Sequence, residues 1–124
     1  MNATPHVLLV EDEPGIAEAI RFLLIRDGCD VTVLGNGRDV LPALRQRRAD
    51  AVVLDLMLPG ASGLDVLAAI RGEAGLVGLP VLMLTAKGQP HDRDAAMRAG
   101  ATQFMTKPFA NAEMVAAVRA LLAG

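Results

Sequence analysis

The sequence predicts a single α/β domain, a three-layer sandwich in which helices cover both faces of a parallel β-sheet. Four short apolar runs recur along the chain with helix-like segments between them, which is the rhythm of βα repetition. The clearest of these runs are continuously apolar and rich in Val and Leu, as strands buried on both faces require. The chain has 124 residues, of which 52% are apolar, and residues 1–124 are therefore expected to form one such domain with a buried core.

Each apolar run is assigned to one predicted strand. A fifth, more mixed run completes the set, because it follows the fourth after a further helix-like segment. The five predicted strands are residues 7–10, 31–34, 51–54, 81–84 and 103–105. A five-stranded (βα)5 unit follows from this count.

The first predicted helix has the clearest boundaries. Pro14 suits the first helical turn, and Gly28 can end the helix in a left-handed conformation. Its apolar stripe consists of Ile16, Ile20, Leu23 and Leu24. This spacing is that of one helix face packed on a sheet.

Each of the remaining helices carries a signal of its own. Pro42 interrupts the second helix near its start, and Ser62 followed by Asp65 indicates a capping box at the third. A fourth helix is predicted over 92–99 and ends at Gly100, with a face made mostly of alanine. The last helix presents Met114, Val118, Leu121 and Leu122 on one face.

Composition excludes several classes of function. The net charge of −2 and the presence of only three aromatic residues, all Phe, argue against direct nucleic-acid binding. No apolar run approaches the roughly 18 residues of a membrane span, and no signal peptide is evident, so we expect no membrane partner and a cytoplasmic location. The single Cys29 is expected to be a small core residue.

Two further groups of residues are expected to lie at the surface. His6 and His91 have no evident partner in the sequence and are expected to face solvent. Arg45, Arg47 and Arg48 are most simply the solvated end of a helix, where positive charge suits the helix dipole, with a binding patch as the alternative.

Polar residues follow four of the five predicted strands. They are Glu11 and Asp12, Asp55, Thr85, and Thr106 with Lys107. Because the carboxyl ends of parallel strands meet at one edge of the sheet, we expect these side chains to converge there.

Converging carboxylates need a cation. Two of them about 4 Å apart repel by about 4 kcal/mol at an effective dielectric constant of 20, so a divalent ion is expected among Glu11, Asp12 and Asp55. The donors are all oxygen, which favours Mg²⁺ over zinc. Between this ion and Lys107, Asp55 can act as a nucleophile toward phosphorus and form an acyl phosphate.

Four segments resemble the receiver domain of bacterial two-component response regulators. They read VLLVEDE at 7–13, VVLDLMLPGASGLDVL at 52–67, LTA at 84–86 and AGATQFMTKPF at 99–109. Together, and in this order, they cover essentially the whole chain. The resemblance implies the flavodoxin-like fold with strand order 2-1-3-4-5.

The resemblance implies a role for each site residue. Asp55 is the expected phosphoryl acceptor, with Glu11, Asp12 and the backbone carbonyl of Met57 as further Mg²⁺ ligands. Lys107 is expected to pair with the phosphoryl group.

Other implied roles concern the response to phosphorylation. The Thr85 hydroxyl is expected to donate a hydrogen bond to the phosphoryl group, and the small side chain of Ala86 leaves the approach to the site open. Phe104 is expected to turn inward as the switching aromatic residue. The family also commonly has a cis peptide bond where this chain has Lys107–Pro108. Phosphorylation would act as a switch, because two or three charge-assisted hydrogen bonds of about 1.5–3 kcal/mol each match the roughly 5.5 kcal/mol needed to invert a 1:99 equilibrium.

Two positions are expected to set the lifetime of the phosphoryl group. In receivers these lie two residues after the acceptor and two after the threonine, here Met57 and Lys87. Neither offers a carboxylate or amide to position a water molecule, so slow self-hydrolysis is predicted.

The implied partners are a sensor histidine kinase or phosphotransfer protein and a downstream output domain or protein. The chain departs from receivers that form a charged dimer, since Thr102 and Gln103 replace acids and Ala117 and Ala123 replace arginines, leaving Arg119. A receiver that stands alone or is coupled differently is therefore expected. Any output domain would lie beyond Gly124, directly after the last predicted helix.

Three other functions fit parts of the pattern. A haloacid-dehalogenase-like phosphatase or phosphotransferase would need a second acid at position 57, which is Met. A nucleotide- or flavin-binding module would need a Gly-rich phosphate loop, which follows no strand. A receiver that no longer accepts phosphate would be expected to lack one of the site residue types. The sequence therefore favours a signalling module that catalyses only its own phosphorylation and dephosphorylation.

Overall fold

The computed structural model describes residues 4–86 and 90–124. Within them the strands are β1 (His6–Val10), β2 (Asp30–Leu34), β3 (Ala51–Asp55), β4 (Val81–Ala86) and β5 (Gln103–Lys107). All neighbouring strands are parallel, in the order β2-β1-β3-β4-β5. This order confirms the flavodoxin-like fold.

Five α-helices follow the strands in turn. They are α1 (Pro14–Arg26), α2 (Val40–Gln46), α3 (Gly63–Gly72), α4 (Pro90–Arg98) and α5 (Asn111–Ala123), with a 3₁₀ turn at Gly37–Asp39 before α2. In the part of the chain that the structure describes, no helix combines the length and the apolar character that crossing a bilayer requires.

Strand alternation divides the buried side chains into two cores. Val7 and Leu9 of β1 point to the face covered by α1 and α5, where Ile20 of α1 is fully buried. Leu8 and Val10 point to the opposite face, which α2, α3 and α4 cover. The apolar stripes predicted for the first and last helices face the first of these cores.

Several predicted boundaries are confirmed and others are wrong. Gly28 and Gly100 follow α1 and α4 with φ of +97° and +106°, a left-handed conformation that glycine adopts without steric cost. At the start of α3 the Ser62 Oγ accepts a hydrogen bond from the Asp65 amide at 3.2 Å. Helix α4 begins two residues before the predicted start, and β5 continues through Lys107 because its polar residues still pair with β4.

The expectation that His6 faces solvent is wrong. His6 is 6% exposed at the start of the central strand β1, where β2 and β3 flank it. Its amide donates to Asp50 Oδ2 at 2.7 Å, and its Nδ1 lies 3.5 Å from Asp30 Oδ2. A central strand position is covered by its neighbours even when the residue is polar. His91, by contrast, is exposed.

The three arginines near the end of α2 are exposed but held by other parts of the chain. Arg45 forms a two-pronged ion pair with Glu73, at distances from 2.6 to 3.2 Å. Arg47 donates to Asp30 at 2.6 Å, and Arg48 donates to a backbone carbonyl at 3.2 Å. These contacts favour the solvated helix end over the binding patch.

Candidate functional site

The site lies at the carboxyl edge of the sheet, where three strand ends meet. Glu11 directly follows β1, Asp55 ends β3 and Lys107 ends β5. The Lys107 Nζ lies 2.7 Å from Glu11 Oε1 and 3.1 Å from Asp55 Oδ2. Asp12 completes the group, since one carboxylate oxygen from each of the three acids lies within 4.8 Å of the others. The structure thus brings together the acids and the lysine that the chain scatters.

Two of the three acids are buried. Glu11 is 2% exposed and Asp55 is 4% exposed, whereas Asp12 is exposed. Three carboxylates and one ammonium group leave a charge of −2 when all are ionised. Burying unbalanced charge is costly, so this arrangement favours a further cation.

The pKa shifts follow from this burial. Burial raises the pKa of Glu11, and the adjacent Lys107 ammonium group offsets only part of that effect. Burial alone would lower the pKa of Lys107, but its close contacts with the Glu11 and Asp55 carboxylates outweigh burial and raise that pKa. Lys107 is therefore firmly cationic at neutral pH.

The acidic group fits Mg²⁺. Every donor is a carboxylate oxygen, and the buried Glu11 Oε1 accepts no well-directed hydrogen bond despite its ion contact with Lys107. The exposed Asp12 leaves one side open to water, and Mg²⁺ in proteins commonly keeps several water ligands. An open cleft of about 350 Å³ adjoins the group; its lining residues are Asp12, Glu13, Asp55, Met57, Ala86 and Lys107.

Met57 stands at the mouth of this cleft. Its side chain is 73% exposed, and its amide lies 3.4 Å from Asp55 Oδ1, a long hydrogen bond. The role of its carbonyl as a metal ligand stays a prediction. Lys87, the other residue expected to influence phosphoryl lifetime, lies outside the described residues.

Thr85 and Phe104 lie on the same face of the sheet. Thr85 is 1% exposed near the end of β4 and pairs with Thr106 of β5, two residues beyond Phe104. Phe104 is half-buried and packs on the core under α2, α3 and α4. Ala86, next to Thr85, reaches the cleft. The peptide bond between Lys107 and Pro108 is cis, as the resemblance implies.

Sequence reasoning missed Gly63, which lies directly against the backbone of Asp55 and Leu56. Its amide donates to the Leu56 carbonyl at 2.8 Å, so the start of α3 lies directly on the loop after β3. A β-carbon there would collide with the Asp55 carbonyl oxygen and lie 2.7 Å from Leu56 Cα. Its position directly after the Ser62 cap was the available signal, but nothing in the sequence shows what it touches.

Glu13 was also missed. Its amide donates to Glu11 Oε2 at 3.2 Å and so helps to fix the buried carboxylate. Since a backbone amide makes this contact, the identity of the side chain gives no signal for it.

Arg119 is the one arginine of the charged dimer pattern that this sequence keeps on its last helix. It forms an ion pair with a residue of the same chain. Its guanidinium group forms a two-pronged ion pair with Asp27 at the end of α1, with Nε at 2.7 Å. The hydrogen bond lowers the pKa of Asp27. The absence of the charged dimer face stays a prediction.

Comparison with known protein families and sequences gives a consistent result. The family model described as "Response regulator receiver domain" matches residues 7–119. The "Probable transcriptional regulatory protein TcrX" of Mycobacterium tuberculosis is 48% identical over 116 residues, covering 94% of this chain and 49% of that protein. The "DNA-binding response regulator MtrA" of Mycolicibacterium smegmatis is 42% identical over 117 residues, covering 94% of this chain and 50% of that protein. The chain spans about half the length of the curated relatives it matches.

Solved structures match nearly the whole chain. The chemotaxis response regulator CheY4 of Vibrio cholerae superposes with a TM-score of 0.90 at 26% identity, covering 97% of this chain and 100% of that one. The receiver domain of the sensor histidine kinase PA1611 of Pseudomonas aeruginosa superposes with a TM-score of 0.90 at 29% identity, covering 98% and 100%. That structure has a magnesium ion coordinated in its active-site cleft.

Proposed function

The chain belongs to the response regulator receiver domain family, a signalling module of two-component systems, and from this premise we propose that Asp55 is its phosphoryl acceptor. The proposed donor is the phosphohistidine of a sensor histidine kinase or phosphotransfer protein. The reaction would depend on Mg²⁺ held by Glu11, Asp12, Asp55 and the Met57 carbonyl.

One observation carries the proposal. The Lys107 ammonium group contacts both Asp55 and Glu11 at the carboxyl edge of the sheet, beside an open cleft. A buried carboxylate is suited to receive a phosphoryl group when a fixed cation lies next to it and further acids that can hold a metal ion lie beside an open cleft.

The transfer exchanges one bond for another. A carboxylate oxygen of Asp55 attacks the phosphorus atom, an O–P bond forms, and the P–N bond to the donor histidine breaks with its electron pair leaving on the imidazole nitrogen. Lys107 stabilises the negative charge on the phosphoryl oxygens. A bound Mg²⁺ would supply further charge neutralisation at those oxygens.

Phosphorylation would be read out through Thr85 and Phe104. The Thr85 hydroxyl would move toward the phosphoryl oxygens and donate a hydrogen bond, leaving space behind it into which Phe104 turns. Both residues lie on one face of neighbouring strands, which supports this coupling.

The proposed output lies outside this chain. Since the relatives are about twice as long, we infer that a downstream domain or a separate protein reads the switched surface. Dephosphorylation would occur in the same cleft by attack of water on the acyl phosphate.

The direct test is incubation with Mg²⁺ and acetyl phosphate, followed by intact mass measurement and peptide mapping. We expect a Mg²⁺-dependent gain of one phosphoryl group at Asp55, lost in Asp55→Asn and retained in Asp94→Asn, an exposed aspartate of α4. Phosphate on another residue, or no gain at all, would overturn the assignment. Rapid repeated release of phosphate from assorted monoesters would favour the haloacid-dehalogenase-like alternative.

A further inference from the structure

An arginine of α4 covers the ring of Phe104. The guanidinium carbon of Arg93 lies 4.8 Å from the ring centroid. A cation within about 6 Å of an aromatic face is attracted by the ring quadrupole. Arg93 itself is exposed, so the ring is held between a solvent-facing cation and the core beneath it.

The helix that carries Arg93 buries little apolar side-chain surface. Of the nine residues of α4, only Ala96 is buried, and alanine supplies little apolar area. The contact between Arg93 and Phe104 therefore adds to the packing of α4 on β4 and β5. The position of Phe104 and the position of α4 are coupled through this contact.

The inward movement of Phe104 would break the contact. The space inside is filled at present, because Thr85 and Met83 on the same face of β4 are buried. The ring can enter only after Thr85 moves, and it would then leave its place beneath the guanidinium group. The cation–π contact consequently stabilises the arrangement without a phosphoryl group.

We propose that Arg93 is a latch that holds Phe104 in its outward position and so lowers the fraction of switched molecules before phosphorylation. This inference rests on the proposed switching role of Phe104. Arg93 is a positioning residue that acts through the ring. A contact of this kind at an exposed site corresponds to a change of about two- to fivefold in the equilibrium between the two positions.

The test follows the ring directly by NMR with ring carbon-13-labelled phenylalanine. The chain has three phenylalanines, Phe22, Phe104 and Phe109, so few ring signals arise and Phe104→Leu identifies the one of interest. Signals are recorded without Mg²⁺, and then during titration with beryllium fluoride, a phosphoryl analogue, in the presence of Mg²⁺.

Arg93→Gln is compared with Arg98→Gln, a second exposed arginine of α4, and with Arg93→Lys, which keeps the cation. We expect Arg93→Gln to shift the Phe104 signal before any analogue is added and to lower the midpoint of the titration about two- to fivefold. Arg98→Gln should do neither, and Arg93→Lys should fall between Arg93→Gln and the unsubstituted protein.

Two results would overturn the latch and are distinguishable. An unchanged Phe104 signal and midpoint in Arg93→Gln would reject the latch alone and leave the switch standing. A Phe104 signal that does not respond to the analogue in the unsubstituted protein, although Asp55 accepts phosphate from acetyl phosphate, would reject the switching role and the latch with it.

Discussion

The Lys107 ammonium group lies 3.1 Å from the Asp55 carboxylate, although 52 residues separate them along the chain. The contact joins β5 to β3 across the end of β4, at the edge where the cleft opens. Lys107 thereby reduces the repulsion among the acids and also provides a cation next to the proposed acceptor. Four predictions follow from the geometry of this edge.

Replacing Lys107 should lower both the stability of the protein and its rate of phosphorylation. Added Mg²⁺ should distinguish the two effects. Lys107→Met leaves the buried carboxylates of Glu11 and Asp55 without their cation, and we expect a loss of up to about 3 kcal/mol in the free energy of unfolding at neutral pH. Added Mg²⁺ should restore much of the stability but not the rate of phosphorylation by acetyl phosphate. Urea denaturation with and without Mg²⁺ measures the first effect and mass spectrometry the second. Lys107→Arg, which keeps the charge, is the control; equal stability of Lys107→Met and the unsubstituted protein without Mg²⁺ would contradict the argument.

The buried Glu11 should make the stability of the Mg²⁺-free protein depend on pH. Burial raises its pKa above 4.5, so the folded state binds a proton there more readily than the unfolded state. Its contribution to stability is therefore most favourable below pH 4.5 and is lost as the pH rises through the raised pKa.

Glu11→Gln keeps the shape and removes the titration. Relative to the unsubstituted protein, we expect this variant to gain stability as the pH rises through that window, measured by urea denaturation in the presence of a chelator. Glu18→Gln, on the exposed face of α1, is the matched control. If the difference in free energy of unfolding between Glu11→Gln and the unsubstituted protein stays constant with pH, the pKa of the Glu11 carboxyl group is not raised by burial.

Adding a methyl group at Gly63 should disturb the acceptor loop. The new β-carbon would overlap the Asp55 carbonyl oxygen, so the loop or the start of α3 must move. We expect a destabilisation of about 1–3 kcal/mol and slower phosphorylation of Asp55. Gly72→Ala, at the other end of the same helix and with nothing within 4 Å, should be neutral or stabilising by up to about 1 kcal/mol. If both variants behave alike in thermal denaturation and in labelling, Gly63 does not support the loop.

The phosphoryl group on Asp55 should be long-lived, because the exposed Met57 cannot position a water molecule for attack. Met57→Asn introduces an amide at the mouth of the cleft and should shorten the lifetime. Loss of the phosphoryl group after removal of acetyl phosphate, followed by intact mass, gives the rate. Met97→Asn, an exposed methionine of α4, is the control for a surface change. A lifetime of seconds in the unsubstituted protein would show that another group positions the water.

The strands and helices could be predicted because their signals are local. Unbroken Val and Leu runs mark strands covered on both faces, and Pro14, Gly28 and Ser62 mark helix ends through their own backbone chemistry. The end of β5 was not predictable in this way. Its last residues, Thr106 and Lys107, are polar, and only pairing with β4 shows that they continue the strand.

The site could be predicted to the level of residue types at strand ends, because parallel strands bring those ends together. The residues that pack against these site residues could not be predicted. Gly63 acts through the close approach that its missing β-carbon allows, and Arg93 acts through a ring on another element. Each is a contact between different elements of the fold, and the residue itself carries no pattern that predicts it.

The order of the strands along the chain has a consequence for synthesis. Glu11, Asp12 and Asp55 leave the ribosome early, but Lys107 comes from the last strand and α5 must still pack beneath it. A nascent chain therefore carries the proposed acceptor well before it carries the complete site. If Asp55 is the acceptor, as proposed, a chain that ends before β5 would lack Lys107 and should not be phosphorylated.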